Sequence, residues 1–304
     1  MAKVSIIVPS RQERFLPQTV ADLLAKAAGE IEIIVVLDGY WPSPPLPDDP
    51  RVILLHHGHA LGMRPAINHA AAIATGDYLL KCDAHTMWDE CFDEKLKTDY
   101  LEDNWILIPR RYALDPEKWA IDESNKKYPI DYHFLSCPIN TPGDSTDGLH
   151  GSPWTARRDA RKEFQIDDEM SSQGSGWFMS RRMWDRIGPL DWQHYGSFTQ
   201  EFQELGLRAW LGGGAVKVTK NTWYAHLRKS GKWGRGYSMD GCNHVAGTAY
   251  CSWFWVNDEP FHGRVHSLKW LIEKFSPVPS WPEDIDAVLA EARRVFRNPY
   301  AVAA

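Results

Sequence analysis

The chain has 304 residues, 43% apolar and 24% charged, with a formal net charge of −6. That composition suits one large globular domain or two small ones, and it argues against intrinsic disorder and against a generic polyanion coat. The longest apolar runs, "VSIIVP" and "IEIIVVL", fall far short of the roughly 20 residues a membrane helix needs, so no span is expected. The N-terminus enters a strand pattern at once, with no leader pattern before it. The five cysteines, at 82, 91, 137, 242 and 251, show no CxxC spacing. They predict neither a disulfide frame nor a zinc site and favour a reducing, cytoplasmic setting in a bacterium or virus-infected host. Fifteen tryptophans exceed what a core of this size requires; most will pack, and the surplus suits stacking on sugar rings or bases.

"VSIIVP" at 4–9 predicts a first strand ended by proline. "SRQERFLPQTVADLLAKAAGE" follows, with Val20, Leu23 and Leu24 at helical spacing. "IEIIVVLDG" is a second strand, "YWPSPPLPDD" a loop, and "RVILLHH" a third strand. "MRPAINHAAAIATG" is an alanine-rich helix stopped by Gly76, and "DYLLKCDAH" is a fourth strand. This alternation predicts an α/β fold with a mostly parallel, doubly wound sheet and right-handed crossovers. Ligands bind beyond the carboxyl ends of such strands, where Asp38 and Asp83 fall.

From 110 to 175 the pattern weakens into Gly, Pro, Ser and charged residues. So long a stretch predicts a substrate-covering or acceptor-reading segment. Order resumes at "GSGWFMSRRMWDRIGPLD", continues through the helical "TQEFQELGLRAWLGGG", and passes to a strand, "AVKVTKNTWYAHL". Residues 1–240 are expected to form the main domain. Residues 241–304, with the aromatic patch "YCSWFWVND" and the amphipathic "EDIDAVLAEARRVF", are expected to pack on it, since about 60 residues make a marginal core alone.

In an extended segment Asp83 and His85 point to one side while Ala84 faces away. A carboxylate and an imidazole so placed are two legs of a divalent metal site. The mixed donor set favours Mn²⁺ or a similar ion over Mg²⁺. His226, at the end of "NTWYAH", is the leading candidate for a third ligand. On its own, D-x-H is more often a turn.

Together with "VSIIVPSRQERFLPQTV" and "IEIIVVLDG", this segment resembles the nucleotide-sugar glycosyltransferases of the GT-A fold, especially family 2 and the polypeptide N-acetylgalactosaminyltransferases. Family 2 members usually carry D-x-D here, and the histidine is the variant of the latter group. The resemblance returns at "GSGWFMSRRMWDRIGPLD", runs through "QEFQELGLRAWLGGGAVKV" and reaches "YAHLRK". It implies a GT-A fold with a C-terminal extension, a UDP-sugar donor and a Mn²⁺ or Mg²⁺ cofactor held by Asp83, His85 and His226. By position, Asp38 would hold the uracil or ribose, with Pro9, Ser10 and Arg11 as the facing wall. Arg64 and Asn68 would meet the nucleotide or diphosphate, Trp177 would lie on the donor, and Arg228 and Lys229 would clamp the leaving group. Glu201 and Glu204 share a helix face, and Glu201 matches the glutamate that opens the family's acidic segment. Where inverting members place a base aspartate, this chain has Phe202. Retention is therefore favoured; inversion would need Asp191 or Glu201 as base.

Between Glu204 and Asp240 there is no acidic residue, while "RKSGKWGRGYS" is basic. Lys229, Lys232, Trp233 and Arg235 suit a nucleic-acid platform, with hydroxymethylated pyrimidines of viral DNA as one acceptor. The plainer reading is a loop that covers the donor, with a saccharide, lipid-linked or protein acceptor. A non-catalytic sugar-nucleotide binder is the rival from another class. A nucleotidyltransferase is disfavoured because no glycine-rich, lysine-containing loop follows the first strand. Sequence leaves the sugar, the acceptor and the oligomeric state open.

Overall fold

The computed structural model describes residues 2–125, 127–139, 148–239 and 243–301. In chain order the first half comprises β1 (Val4–Ser10), α1 (Leu16–Lys26), β2 (Ile31–Asp38), β3 (Val52–His57), α2 (Met63–Ile73), β4 (Tyr78–Cys82), β5 (Thr86–Trp88), α3 (Phe92–Asp99) and β6 (Trp105–Asp115). Short elements follow: β7 (Ala120–Ile121), β8 (His133–Leu135), β9 (Gly151–Pro153), α4 (Thr155–Ala160) and β10 (Ile166–Asp168). The second half adds β11 (Gly176–Ser180), α5 (Arg181–Ile187), α6 (Trp192–Tyr195), α7 (Glu201–Leu211), β12 (Ala215–His226), α8 (His244–Val256), α9 (Leu268–Phe275) and α10 (Ile285–Val295).

The main sheet runs β10-β12-β6-β11-β4-β1-β2-β3, with β5 paired to β12 and β7 to β6. The β4-β1-β2-β3 half is parallel, as is β6 with β12. β11 is antiparallel to both neighbours, β4 and β6. The mostly parallel α/β sheet expected from the sequence is thus present, with an antiparallel strand at its centre. Every residue of β2 is buried, as expected of a strand covered on both faces. Its interior charge, Glu32, is satisfied by Lys3 Nζ at 2.7 Å, Ser5 Oγ at 2.5 Å and the Thr75 N–H at 2.7 Å. Burial pushes the Glu32 carboxyl up, but these donors outweigh it and hold the pKa at about 2. β3 forms the sheet edge and leaves Ile53 and Leu54 exposed.

The region from 110 to 175 is more regular than its composition suggests. β6 continues through Asp115, and β8 pairs with β9. Strands of two or three residues carry no readable period. Residues 140–147 of this region lie outside the described residues, as do 240–242 at the expected domain boundary. In the tail, the aromatic patch is the helix α8, which packs against α6 and α10. No described helix is long and apolar enough to cross a membrane.

α7 buries every residue but Arg208. Glu204 is fully buried and ion-paired with Arg64, itself fully buried, and with Arg208 one turn on. Arg64 Nε also donates to Thr199 O at 2.8 Å, and its guanidinium lies 4.5 Å from the Tyr195 ring centre. Asn68 donates to Leu190 O at 2.8 Å and accepts from Leu190 N at 2.9 Å. These side chains staple α2 to the segment from 190 to 204.

Truncating Glu204 to alanine strands a buried guanidinium and is expected to cost about 3–5 kcal/mol in urea unfolding. Because the folded-state pKa of Glu32 is lowered from 4.5 to about 2, its stabilisation is complete above pH 4.5 and lost as pH falls towards 2. Glu32→Gln should therefore be less stable at pH 7 and lose less stability between pH 4.5 and 2, as thermal melts across that range will read.

Candidate active site

Beyond the carboxyl ends of β1, β2 and β4 lies an open cavity of about 1130 Å³. One wall is Pro9, Ser10 and Arg11 after β1, facing Asp38 at the end of β2 and Gly62 before α2. Asp38 accepts from the N–H groups of Leu61 (2.7 Å) and Gly62 (2.9 Å), and His57 Nδ1 lies 2.9 Å away. Its carboxylate thus shapes the loop that opens α2 as well as facing the cavity. Gly62 has φ 103°, and a Cβ there would stand 2.3 Å from Ser197 Cβ, so only glycine fits.

The floor is built where β4 ends. The chain turns at Asp83, whose N–H donates to Ser175 O at 3.1 Å, and enters β5. β5 pairs antiparallel with β12 so that Thr86 faces His226. This register brings His226 back to Asp83 across the fold: His226 Nε2 lies 3.0 Å and His85 Nε2 3.8 Å from Asp83 Oδ2. One donor atom from each of Asp83, His85 and His226 lies within 4.8 Å of the other two. Glu13 Oε2 stands 3.0 Å from His85 Nδ1, an outer carboxylate of the kind that orients metal-bound imidazoles. The donor set and its backing therefore fit a divalent transition ion such as Mn²⁺.

Lys81, fully buried, donates from Nζ to Asp83 Oδ1 at 2.7 Å, to Glu201 Oε2 at 3.2 Å and to Gly174 O. Glu201 Oε1 accepts from the Trp177 indole at 2.7 Å. A Cβ on Gly174 would lie 2.7 Å from Glu201 Oε2, so the loop before β11 passes tightly over this carboxylate. Burial raises the Glu201 pKa, with Lys81 and Trp177 opposing. Burial also pushes Asp83 upward, but Lys81 and the imidazoles outweigh it and hold its pKa well below the usual range. Burial lowers His226 to about 4, keeping its ring neutral as ligation requires. Glu13 is raised by burial but held at about 2 by His85 and Lys229.

At the far end the lining is His150, Gly151, Ser172, Gln173, Gln200, Gln203, His244 and Thr248, with amides and hydroxyls and with no carboxylate, lysine or arginine among them. Gln203 Nε2 donates to Ser172 O at 3.1 Å, and the buried Gln200 Oε1 has no partner. Above the cavity runs the basic segment. Lys229 pairs with Glu13, Lys232 with Glu117 at 2.6 Å, Arg11 lies 4.3 Å from the Tyr237 ring centre and Arg235 5.0 Å from that of Phe198.

Of the residues singled out from sequence, Pro9, Ser10, Arg11, Asp38, Asp83, His85, Glu201, His226, Lys229, Lys232 and Arg235 share this cavity. The others stand outside its lining. Arg64, Asn68 and Glu204 form the staple described above, and Trp177 lies beneath Glu201. Trp233 packs on Phe15 at 5.5 Å, and Arg228 is exposed. Asp191 caps α6, accepting from Gln193 N and His194 N at 3.1 Å. Sequence reasoning missed Lys81 and Glu13. Lys81 had a signal, a lone charge in an apolar strand two residues before Asp83 and so on its face.

Among solved structures, GalNAc-T7 crystallised with UDP, GalNAc and Mn²⁺ superposes with a TM-score of 0.64 at 11% identity, covering 85% of this chain and 50% of that one. The chain thus spans about half the length of that relative, and at this identity the likeness shows the GT-A fold. TarS of S. aureus matches at 12% identity with a TM-score of 0.47, over 75% of this chain and 37% of its own. No curated protein matches the chain. The family model "Glycosyl transferase family 2" matches residues 5–184, more than half the sequence, and the chain belongs to that family of glycosyltransferases.

Proposed function

We propose that the chain moves a glycosyl group from a UDP-sugar to a hydroxyl of a neutral, saccharide-like acceptor, with a divalent ion held by Asp83, His85 and His226. The observation that carries this reading is the convergence of those side chains on the cavity floor beside Glu201. The solved relative with UDP and Mn²⁺ agrees with it. Bound there, the ion would act as a Lewis acid on the departing diphosphate. Pro9, Ser10, Arg11 and Asp38 line the side of the cavity suited to the nucleoside, and Lys229 is the nearby cation for phosphate oxygens.

In the transfer, the bond from the anomeric carbon to the diphosphate breaks, a bond to the acceptor oxygen forms, and the hydroxyl proton must be taken up. A base needs a free lone pair at that hydroxyl. Glu201 is held on both oxygens, by Lys81 and Trp177, with the loop at Gly174 close over it, which leaves its remaining lone pairs little room to meet a hydroxyl. Asp191 caps α6, and Phe202 cannot accept a proton. This supports retention, with the departing diphosphate oxygen as proton acceptor.

The far end supports a neutral acceptor. It carries amides and hydroxyls suited to sugar hydroxyls, and no lysine or arginine lines it among the described residues. Of the cations that suggested DNA, Lys232 pairs with Glu117 and Arg235 lies on Phe198, and Lys229 lies within the cavity on the donor side. That favours the donor-covering loop.

Alanine at Asp83 or His226 should lower transfer at least about a hundredfold with the fold intact by circular dichroism, and EDTA should reproduce the loss. Full activity in either variant removes that residue from the site, and activity untouched by EDTA overturns metal dependence. Mass spectrometry after incubating UDP-sugars with saccharides, peptides and hydroxymethylcytosine DNA should find product on a saccharide. A product on DNA alone overturns the acceptor assignment.

A further inference from the structure

Lys81 is buried without residue in an otherwise apolar strand, yet the proposed ligand set does not call for it. Its ammonium spends its hydrogens on groups from different parts of the fold: Asp83 after β4, Gly174 before β11 and Glu201 in the first turn of α7. Two consequences follow from this geometry. Oδ1 of Asp83 is engaged, so Oδ2, the oxygen facing His85 and His226, is left for an ion. The carboxylates of Asp83 and Glu201 against one ammonium also leave a single net negative charge in a buried place. A fixed cation this close to Asp83 repels a second cation strongly where the dielectric is low.

We propose that Lys81 is a positioning residue that makes uptake of the divalent ion depend on the nucleotide diphosphate, an inference that rests on the donor and metal reading above. Alone, the floor has too little negative charge to hold the ion tightly. The diphosphate supplies the missing charge, so ion and UDP bind together, each tightening the other by the same factor.

The test is titration of Mn²⁺ into metal-stripped full-length protein, with free Mn²⁺ read by electron paramagnetic resonance, with and without UDP. Wild type should bind Mn²⁺ weakly alone and about tenfold or more tightly with UDP. Lys81→Met should bind Mn²⁺ about tenfold or more tightly than wild type without UDP, and gain less from UDP. Glu201→Gln changes the floor charge the other way and should weaken binding without UDP by a similar factor. It decides the matter should Lys81→Met fail to fold. A folded Lys81→Met that binds Mn²⁺ no more tightly than wild type, or a Glu201→Gln unchanged from it, overturns the proposal. Wild-type protein that takes up neither Mn²⁺ nor UDP overturns the donor and metal reading as well, whereas uptake of both with unaltered variants overturns only the role of Lys81.

Discussion

The antiparallel pairing of β5 with β12 governs the rest of the site. Without it, Asp83 and His85 would be polar residues at a strand end, and His226 would belong to a distant segment of the chain. The pairing places Thr86 opposite His226 and carries the imidazole across the fold to the carboxylate. It is strengthened from behind: the ring of Trp88 stacks on Tyr224 at 5.2 Å, both buried. Leu227 N also donates to His85 O at 3.2 Å, which extends the register by one step past the strand. A slip of one residue would turn every side chain of β12 to the opposite face.

Charge is distributed along the cavity in a consistent order. Cations lie over the end that holds Pro9, Ser10 and Arg11, the acid and imidazoles lie on the floor, and the far end holds mainly amides and hydroxyls. Each buried ion on the floor has partners, which keeps the desolvation cost tolerable. Glu13 shows how closely the parts are joined. It touches His85 below and Lys229 above, so one carboxylate links a floor imidazole to the covering segment.

Much of this was legible in the sequence because the responsible patterns are long or repeated. The buried strands β1, β2 and β4 are unbroken apolar runs, and α2 is an alanine-rich helix with a clear stop. The pairing of a carboxylate with two histidines could be named because one pair is separated by a single residue and the third lies at the end of a long strand. The far end of the cavity could not be read, since β8 and β9, which pair with each other, are only three residues each. Arg64, Asn68 and Glu204 illustrate the opposite difficulty. Their residue types suit ligand contact and structural clamping equally well, and only the packing shows that they hold α2 to α7. Lys81 is hard to read from sequence because a single charge in a strand pattern looks like an exception, whereas burial against three oxygen acceptors gives it a purpose.

The staple of Arg64, Asn68 and Glu204 also determines which parts of the molecule are free to shift. It locks α2 and the helix bearing Glu201 into one frame. The basic segment above is moored differently, by contacts that include the exposed Lys232–Glu117 pair, a kind of contact worth at most about 1 kcal/mol. In the reaction proposed above, the walls would keep the floor geometry from one turnover to the next, and the roof would be the part that yields as the nucleotide leaves.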